Sequence, residues 1–525
     1  MKTLFYGGNI LTMDEPLYAD AILVDNGMIL ALGTEERLRG IAPDCEEVDL
    51  KGATLMPGFI DAHSHFFQVA TSLLQVSVNG LDTPEKIGAC IREYMREHKI
   101  KPGEWVNVRD YDNNLMPGLK HPTIEQLDAY APENPLAIYH KSGHMGLMNT
   151  MALERLGIHV DTVAPEGGRI EVVDGKLTGY LEENAFIESI KRIPLPGVEQ
   201  LTDAFVRAQD KYASYGITTI HEGMVVTQML PMYEMLIQQD LLKLDLMLYP
   251  NIQSFDASVQ MLHNMPPQNR VKVAGVKIFL DGSPQGRTAW MREPYQGEDS
   301  YCGYGTLTDE VVTASFEKAA ELGTQLIGHC NGDRAAQQFL DCLEQAEKTH
   351  PQLRDLRPVI IHGQLMGKDQ LPRVTELGAM VSFFVAHVYH WGDVHLRNFG
   401  IERASHISPA KSALDADVKF TFHQDAPVIE PDMIETLWCA VNRKTKGDVT
   451  LGAEEAISVM DALRAITVNG AYQYFQEERK GSLAPGKQAD FVILDRDPLQ
   501  TDKTQLRDIR VLQTYKDGKC IYSAQ

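Results

Sequence analysis

Residues 59–65 read Phe59-Ile60-Asp61-Ala62-His63-Ser64-His65, a short apolar strand running out into two histidines spaced by one residue. Alternate residues on a strand share a face, so His63 and His65 point the same way. Imidazole suits a borderline divalent ion such as zinc. An isolated His-x-His is a weak motif, because polar loop histidines look the same. Its position strengthens it. Thr324-Gln325-Leu326-Ile327-Gly328-His329 is an apolar strand that ends in His, and so is Pro358-Val359-Ile360-Ile361-His362. Val418–Phe422 runs out through His423 and Gln424 to Asp425. Four strands therefore end in candidate metal ligands.

Those strands belong to a longer series. Gly58–Ala62, Gly216–Ile220, Leu244–Tyr249, Gly275–Leu280, Thr324–Ile327, Pro358–Ile361, Ala379–Phe384 and Val418–Phe422 are eight apolar runs. Helical patterns such as Asp309–Leu322 and Ala335–Lys348 lie between most of them. Eight βα units favour an α/β fold of the closed (β/α)8 TIM-barrel type, in which the strand ends converge on one mouth. A doubly wound open sheet is the alternative. The gap after the first strand is too long for a βα loop, so residues 67–205 form an inserted subdomain, placed to act as a lid. It holds a helical stretch, Thr83–Glu97, and a strand-like Pro135–Tyr139. Both chain ends read as short strands around turn signals, Asp25-Asn26-Gly27 and Asp517-Gly518. The expected division is a small β-sandwich from residues 1–56 and 474–525, with the barrel at 57–473.

Composition narrows the function classes. Hydrophobic residues are 44% and charged residues 23%, ordinary globular usage that excludes a disordered or fibrous chain. Asp and Glu total 72 against 49 Lys and Arg, a formal charge of −23, which argues against nucleic acid or an anionic membrane as partner. No apolar run reaches membrane-span length, and the first residues lack the apolar core of a signal peptide. The 7 cysteines are scattered singly, without a CxxC pair, as in a reduced cytoplasmic protein.

Lys277 sits inside the apolar strand Val276-Lys277-Ile278-Phe279-Leu280. A buried, unpaired ammonium is costly, and burial lowers its pKa. A neutral amine there can add CO2 to give a carbamate, a carboxylate-like group able to bridge two cations. The alternative is a lysine paired with Asp281.

Pro57-Gly58-Phe59-Ile60-Asp61-Ala62-His63-Ser64-His65, followed by Lys277, His329, His362 and Asp425, resembles the motif set of the amidohydrolase superfamily. The tail Gly481–Val492 is similar too, and the resemblance spans nearly the whole chain. Ser142-Gly143-His144 through Asn149, Gly216-Ile217-Thr218-Thr219 and Val276-Lys277 to Asp281-Gly282-Ser283 resemble the branch containing N-substituted formamide deformylases. One departure is visible: the branch has Ser-Asp-x-Pro where this chain has Gln424-Asp425-Ala426-Pro427.

The resemblance implies two divalent metal ions, zinc being the expected one. His63, His65 and Asp425 would hold the more buried ion and His329 and His362 the second, with a carbamylated Lys277 bridging. It implies hydrolysis of a non-peptide C–N bond, of amide or N-substituted formamide type, by a metal-activated hydroxide. Asp425 would take a proton from the water and return it to the leaving amine. His144 is the candidate oxyanion donor. His221 and Arg287 are candidate substrate contacts. A mononuclear deaminase of the same superfamily is the nearest rival, but His329-Cys330-Asn331-Gly332 has Gly where such enzymes carry Glu. A non-catalytic metal-binding scaffold is the rival from another class, and the complete set of six ligand positions argues against it. The substrate is a small molecule that the sequence does not name. Phe383-Phe384-Val385 and Trp391 favour one with an apolar or aromatic group, and exposed sandwich edges leave room for a homodimer.

Overall fold

Thr54–Pro57 and Phe59–Ile60 are consecutive strands separated by Gly58 alone, yet they belong to different sheets. Pro57 pairs antiparallel with Phe491, near the far end of the chain, whereas Phe59 pairs parallel with Ile217. A Cβ at Gly58 would lie 2.5 Å from Thr218 Cγ2, so the crossing point has room only for glycine. In the computed structural model residues 2–140, 145–165, 168–194, 196–266 and 269–524 are described. Two compact units emerge: Met1–Gln68 with Ala208–Gln525, and Val69–Arg207.

The larger unit is built on parallel strands taken in chain order. They are β1 (Phe59–Ile60), β2 (Ile217–Val225), β3 (Asp245–Pro250), β4 in two segments (Val271–Val273 and Gly275–Phe279), β5 (Gln325–Cys330), β6 (Val359–His362), β7 (Met380–Phe383) and β8 (Phe420–Phe422). The first segment of β4 closes one sheet and the second opens the next, so β4 links both. Ile60, Met247, Tyr249, Ala274, Ile327, Val359, Ile361 and Met380 fall into one buried cluster with Ala471 and Tyr474. Side chains from β1, β3, β5, β6 and β7 meet in one cluster only if the strands curl around it. The backbone N–H of His65 donates to the carbonyl of Ala426 at 2.8 Å, tying the chain beyond β1 to the chain beyond β8. This is an α/β barrel.

Helices follow the strands where the apolar periodicity puts them. Asp309–Leu322 buries Val312, Phe316 and Ala319 on one face and stops at Gly323, whose φ of 61° is the left-handed C-cap glycine favours. Phe316 packs edge-on against Phe339 of Asp333–Glu347, ring centres 4.9 Å apart. Such a pair adds about 0.5–1.5 kcal/mol beyond area burial. β2 runs to Val225, well past the expected Ile220, and this draws His221 and Glu222 into the strand.

Two further sheets stand beside the barrel, the first from the N-terminal segment alone and the second shared by both chain ends. One sheet orders Met28–Gly33, Ala21–Asp25, Lys2–Tyr6 and Glu46–Asp49. The other orders Lys519–Ser523, Val511–Lys516, Phe491–Leu494, Thr54–Pro57, Asn9–Leu11 and Tyr18–Ala19. Phe5, Ile22, Leu55, Phe491, Ile493 and Tyr515 form one core between them. Each hairpin turns on two residues of positive φ, Asn26-Gly27 and Asp517-Gly518, the pattern of the tight turns that match strand twist.

The smaller unit carries a six-stranded sheet in the order Gly168–Val173, Lys176–Glu183, Met145–Met148, Leu136–His140, Val106–Tyr111, Val76–Ser77. Helix Pro84–Glu97 starts at Thr83, whose side chain accepts from Lys86 N, and buries Ile87 and Ile91, one turn apart. No helix among the described residues is long and apolar enough to cross a membrane.

Candidate metal centre

Beyond β1 the chain is clamped by the end of β2. Ser64 O accepts from Gly223 N at 3.1 Å, and Ser64 Oγ donates to His221 O at 3.2 Å and accepts from Tyr212 OH at 3.0 Å. With Ser64 held on that side, His63 and His65 turn inward. Beyond β8, Asp425 adopts φ 55° and turns its carboxylate back towards them. His65 Nε2 stands 3.2 Å and His63 Nε2 3.4 Å from Asp425 Oδ1. That oxygen is buried and takes no aligned hydrogen bond. Ligand atoms around a four-coordinate zinc lie about 3.3–3.6 Å apart, given bonds of roughly 2.0–2.2 Å. The three atoms thus have ligand spacing with an unsatisfied lone pair among them, and the donor set fits a divalent ion. Among the described residues they are the group of His, Cys, Asp or Glu whose ligand atoms all lie within 4.8 Å of one another.

Lys277 in β4 is 1% exposed, and its Nζ lies 2.9 Å from His63 Nε2. Burial pushes its pKa down to about 8. The alternative pairing with Asp281 is not what the structure holds. Asp281 is spent on the backbone N–H groups of Trp290 (3.0 Å), Asn331 (2.9 Å) and Gly332 (2.7 Å).

His329 and His362 meet on the same side. His362 Nε2 is 3.1 Å from His329 Nδ1 and 4.0 Å from Asp425 Oδ2. Burial pushes His329 down to about 4 and holds His63 and His362 well below their ordinary value. Neutral imidazole is the form that ligates metal.

Two other expected residues fall elsewhere. His221 was expected to touch substrate, but it is 0% exposed and both ring nitrogens are engaged. Nε2 is 3.2 Å from His63 Nδ1, and Nδ1 is 3.0 Å from Tyr474 OH. The reason is the length of β2, which carries His221 inside the strand instead of off its end. Arg287, the other expected substrate contact, pairs with Glu298 at 2.9 Å and lies over the Tyr295 ring. His144 lies outside the described residues.

Two residues join the centre that the motifs did not single out. His423 Nε2 is 3.1 Å from His362 Nδ1, and its Nδ1 is 2.8 Å from Ser382 Oγ. Glu222 is fully buried and accepts from Phe67 N at 2.5 Å and Tyr233 OH at 2.8 Å. Burial raises its pKa to about 8. The signal for His423 was the strand-end position shared with the neighbouring ligands, whereas Glu222 lies inside β2 and carries no such signal. Phe384 flanks the cluster, its ring 5.4 Å from His423 and 5.8 Å from Trp391.

The chain is similar to known proteins over nearly its whole length. A family model described as amidohydrolase family matches residues 46–522. An N-substituted formamide deformylase of Arthrobacter pascens is 29% identical over 99% of this chain and 98% of its own. The crystal structure of an uncharacterized metal-dependent hydrolase from Pyrococcus horikoshii is 26% identical, with a TM-score of 0.80 over 96% of this chain and 99% of that one. Its counterpart from Pyrococcus furiosus is also 26% identical, with a TM-score of 0.78 over 95% and 100%. A match of that extent, on a barrel whose strand ends gather an imidazole-carboxylate cluster, means that this chain belongs to the amidohydrolase family and is a metal-dependent hydrolase.

Proposed function

We propose that the chain hydrolyses a non-peptide carbon–nitrogen bond, of amide or N-substituted formamide type, at two divalent metal ions, zinc by preference. The observation that carries this is the convergence of His63, His65 and Asp425 beside Lys277 and the His329–His362 pair. The similarity to a deformylase over almost the full length supports the bond type. His63, His65 and Asp425 would hold one ion, His329 and His362 the other. Lys277 would join them as a carbamate, its neutral amine forming the N–C bond to CO2 and releasing a proton. Bound there, such ions lower the pKa of a water towards neutrality and polarise the carbonyl under attack.

The chain's own residues do the rest. Asp425 receives the proton of the attacking water and delivers it to the leaving nitrogen, a double role open to a carboxylate whose Oδ1 carries no aligned hydrogen bond. His144 would donate to the developing oxyanion. Phe384 and Trp391 would line an apolar part of the substrate. A Cβ at Gly332 would sit 1.9 Å from the Trp290 carbonyl oxygen, so no glutamate fits where a deaminase needs one. In this reading the substrate is a small molecule, with no nucleic acid or membrane as partner. The protein works in the cytoplasm, and the facing terminal sheets form a β-sandwich with edges open to a second copy.

The test is elemental analysis of protein purified without added metal, the intact mass of the Lys277 peptide, and a panel of N-formyl and N-acyl amines. Near two ions per chain, a carbamate on Lys277 and release of free amine are expected. One ion with an unmodified lysine and no amine released would overturn the reading.

A further inference from the structure

We infer that His221 is a positioning residue that fixes the tautomer of His63 through a one-way chain of hydrogen bonds anchored on a backbone carbonyl; the inference rests on the metal-centre reading above. The chain starts at Tyr474. Its hydroxyl lies 2.7 Å from the carbonyl oxygen of Asp61 and 3.0 Å from His221 Nδ1. A carbonyl only accepts, so the single phenolic proton points to Asp61. The phenolic oxygen is left as an acceptor, and His221 must carry its proton on Nδ1. His221 Nε2 then bears a lone pair, 3.2 Å from His63 Nδ1. His63 donates into it and presents an unprotonated Nε2 towards Asp425, which is the tautomer a ligand at that nitrogen needs. The far end agrees: Lys277 Nζ, 2.9 Å from His63 Nε2, finds its acceptor there.

The surroundings hold the relay closed. His221 has no exposed surface and stacks on Tyr249 with ring centres 4.4 Å apart and planes 7° apart. The Tyr249 hydroxyl is spent on Gln325 Oε1 at 2.6 Å and is not available to His221. A Cβ at Gly223 would come within 2.8 Å of His221 Nε2 and 3.2 Å of His63 Cε1, so glycine keeps the contact between the imidazoles clear. A ligating histidine ordinarily leans on a carboxylate or a carbonyl. Here a neutral imidazole and a tyrosine stand between ligand and carbonyl, so no charge is added beside the ion. The His362 arm lacks such an anchor, because the Ser382 hydroxyl against His423 can turn either way.

The experiment is zinc affinity by chelator competition on wild type, Tyr474→Phe, His221→Leu and His221→Gln, with the thermal midpoint of each metal-free protein as the check on folding. Tyr474→Phe keeps the ring and removes only the hydroxyl. His221→Gln keeps an acceptor oxygen near the Nε2 position, and His221→Leu removes it. We expect one zinc site to weaken about 10–100-fold in Tyr474→Phe and His221→Leu, and to return close to wild type in His221→Gln. Wild-type affinity in Tyr474→Phe and His221→Leu, or no recovery in His221→Gln, overturns the relay. If His221→Leu does not fold, Tyr474→Phe and His221→Gln decide the matter. A wild type that binds no zinc at all overturns the metal-centre reading, and the relay with it.

Discussion

The barrel buries two polar clusters, one at each end of its strands, and they are built on opposite rules. At the floor, Asp245 opens β3 and sits among Lys480, Lys516 and Arg270. Lys480 also donates to Thr219 Oγ1 at 3.0 Å. Lys516 also pairs with Asp490 and Asp517, each at 3.1 Å, and Arg270 reaches Asp517 at 2.7 Å. Three cations thus meet three carboxylates. Burial alone would raise the Asp245 pKa, but Lys480 and Lys516 outweigh it and hold the carboxyl well below its usual range. At the mouth, burial wins for the bases. His63 and His362 are driven neutral and Lys277 loses much of its basicity. The floor closes its own electrostatic account. The mouth instead gathers Asp425 Oδ1 and the ring nitrogens of His63 and His65 as a donor set with no cation of its own, and that is what separates a site from a scaffold.

The contrast is sharpest in Asp425→Asn. It should cost about 10²–10⁴-fold in kcat/KM, while the urea midpoint of the metal-free protein holds or rises, since no partner is stranded. A clear drop in that midpoint would make the mouth as structural as the floor. Next is Lys516→Met, which leaves Asp490 and Asp245 buried with one lysine fewer. Breaking a buried pair this way should cost about 3–5 kcal/mol, read from urea denaturation, with zinc stoichiometry untouched. A milder lever is the metal itself. Free zinc at a hundredfold excess over its Kd should stabilise the protein by about 2.7 kcal/mol, and Lys516→Met should show the same increment if the clusters are independent. Smallest is the acid response of the floor. Asp245 titrates lower when folded than when unfolded. Its contribution is therefore full above the unfolded carboxylate value of about 3.9 and drains as pH falls towards the folded one. Urea midpoints at pH 5 and pH 3 should differ more in wild type than in Asp245→Asn.

The mouth is more legible in the sequence than the floor, and the reason is local. His63, His65, His329 and His362 each end an apolar run, so strand and ligand are written side by side. Lys277 is conspicuous because it interrupts such a run. Helix Asp309–Leu322 is likewise readable, since its apolar spacing and Gly323 lie within one window. The rest depends on distant partners. His221 looks like a strand end, because Glu222 and Gly223 follow it. Only the burial of Glu222 against Tyr233 and Phe67, and of His221 against Tyr474, keeps β2 going. Nothing beside Lys480 or Lys516 in the sequence points to Asp245, their partner far upstream.

The crossing at Gly58 carries a consequence for how the protein is made. Thr54–Pro57 leaves the ribosome early, but its strand partner Phe491–Leu494 follows roughly 440 positions later. At about 5–20 residues per second, that apolar strand waits on the order of twenty to ninety seconds with one edge bare. For that interval the hydrogen-bonding edge of the strand is open to pairing with other chains, a hazard built into this topology.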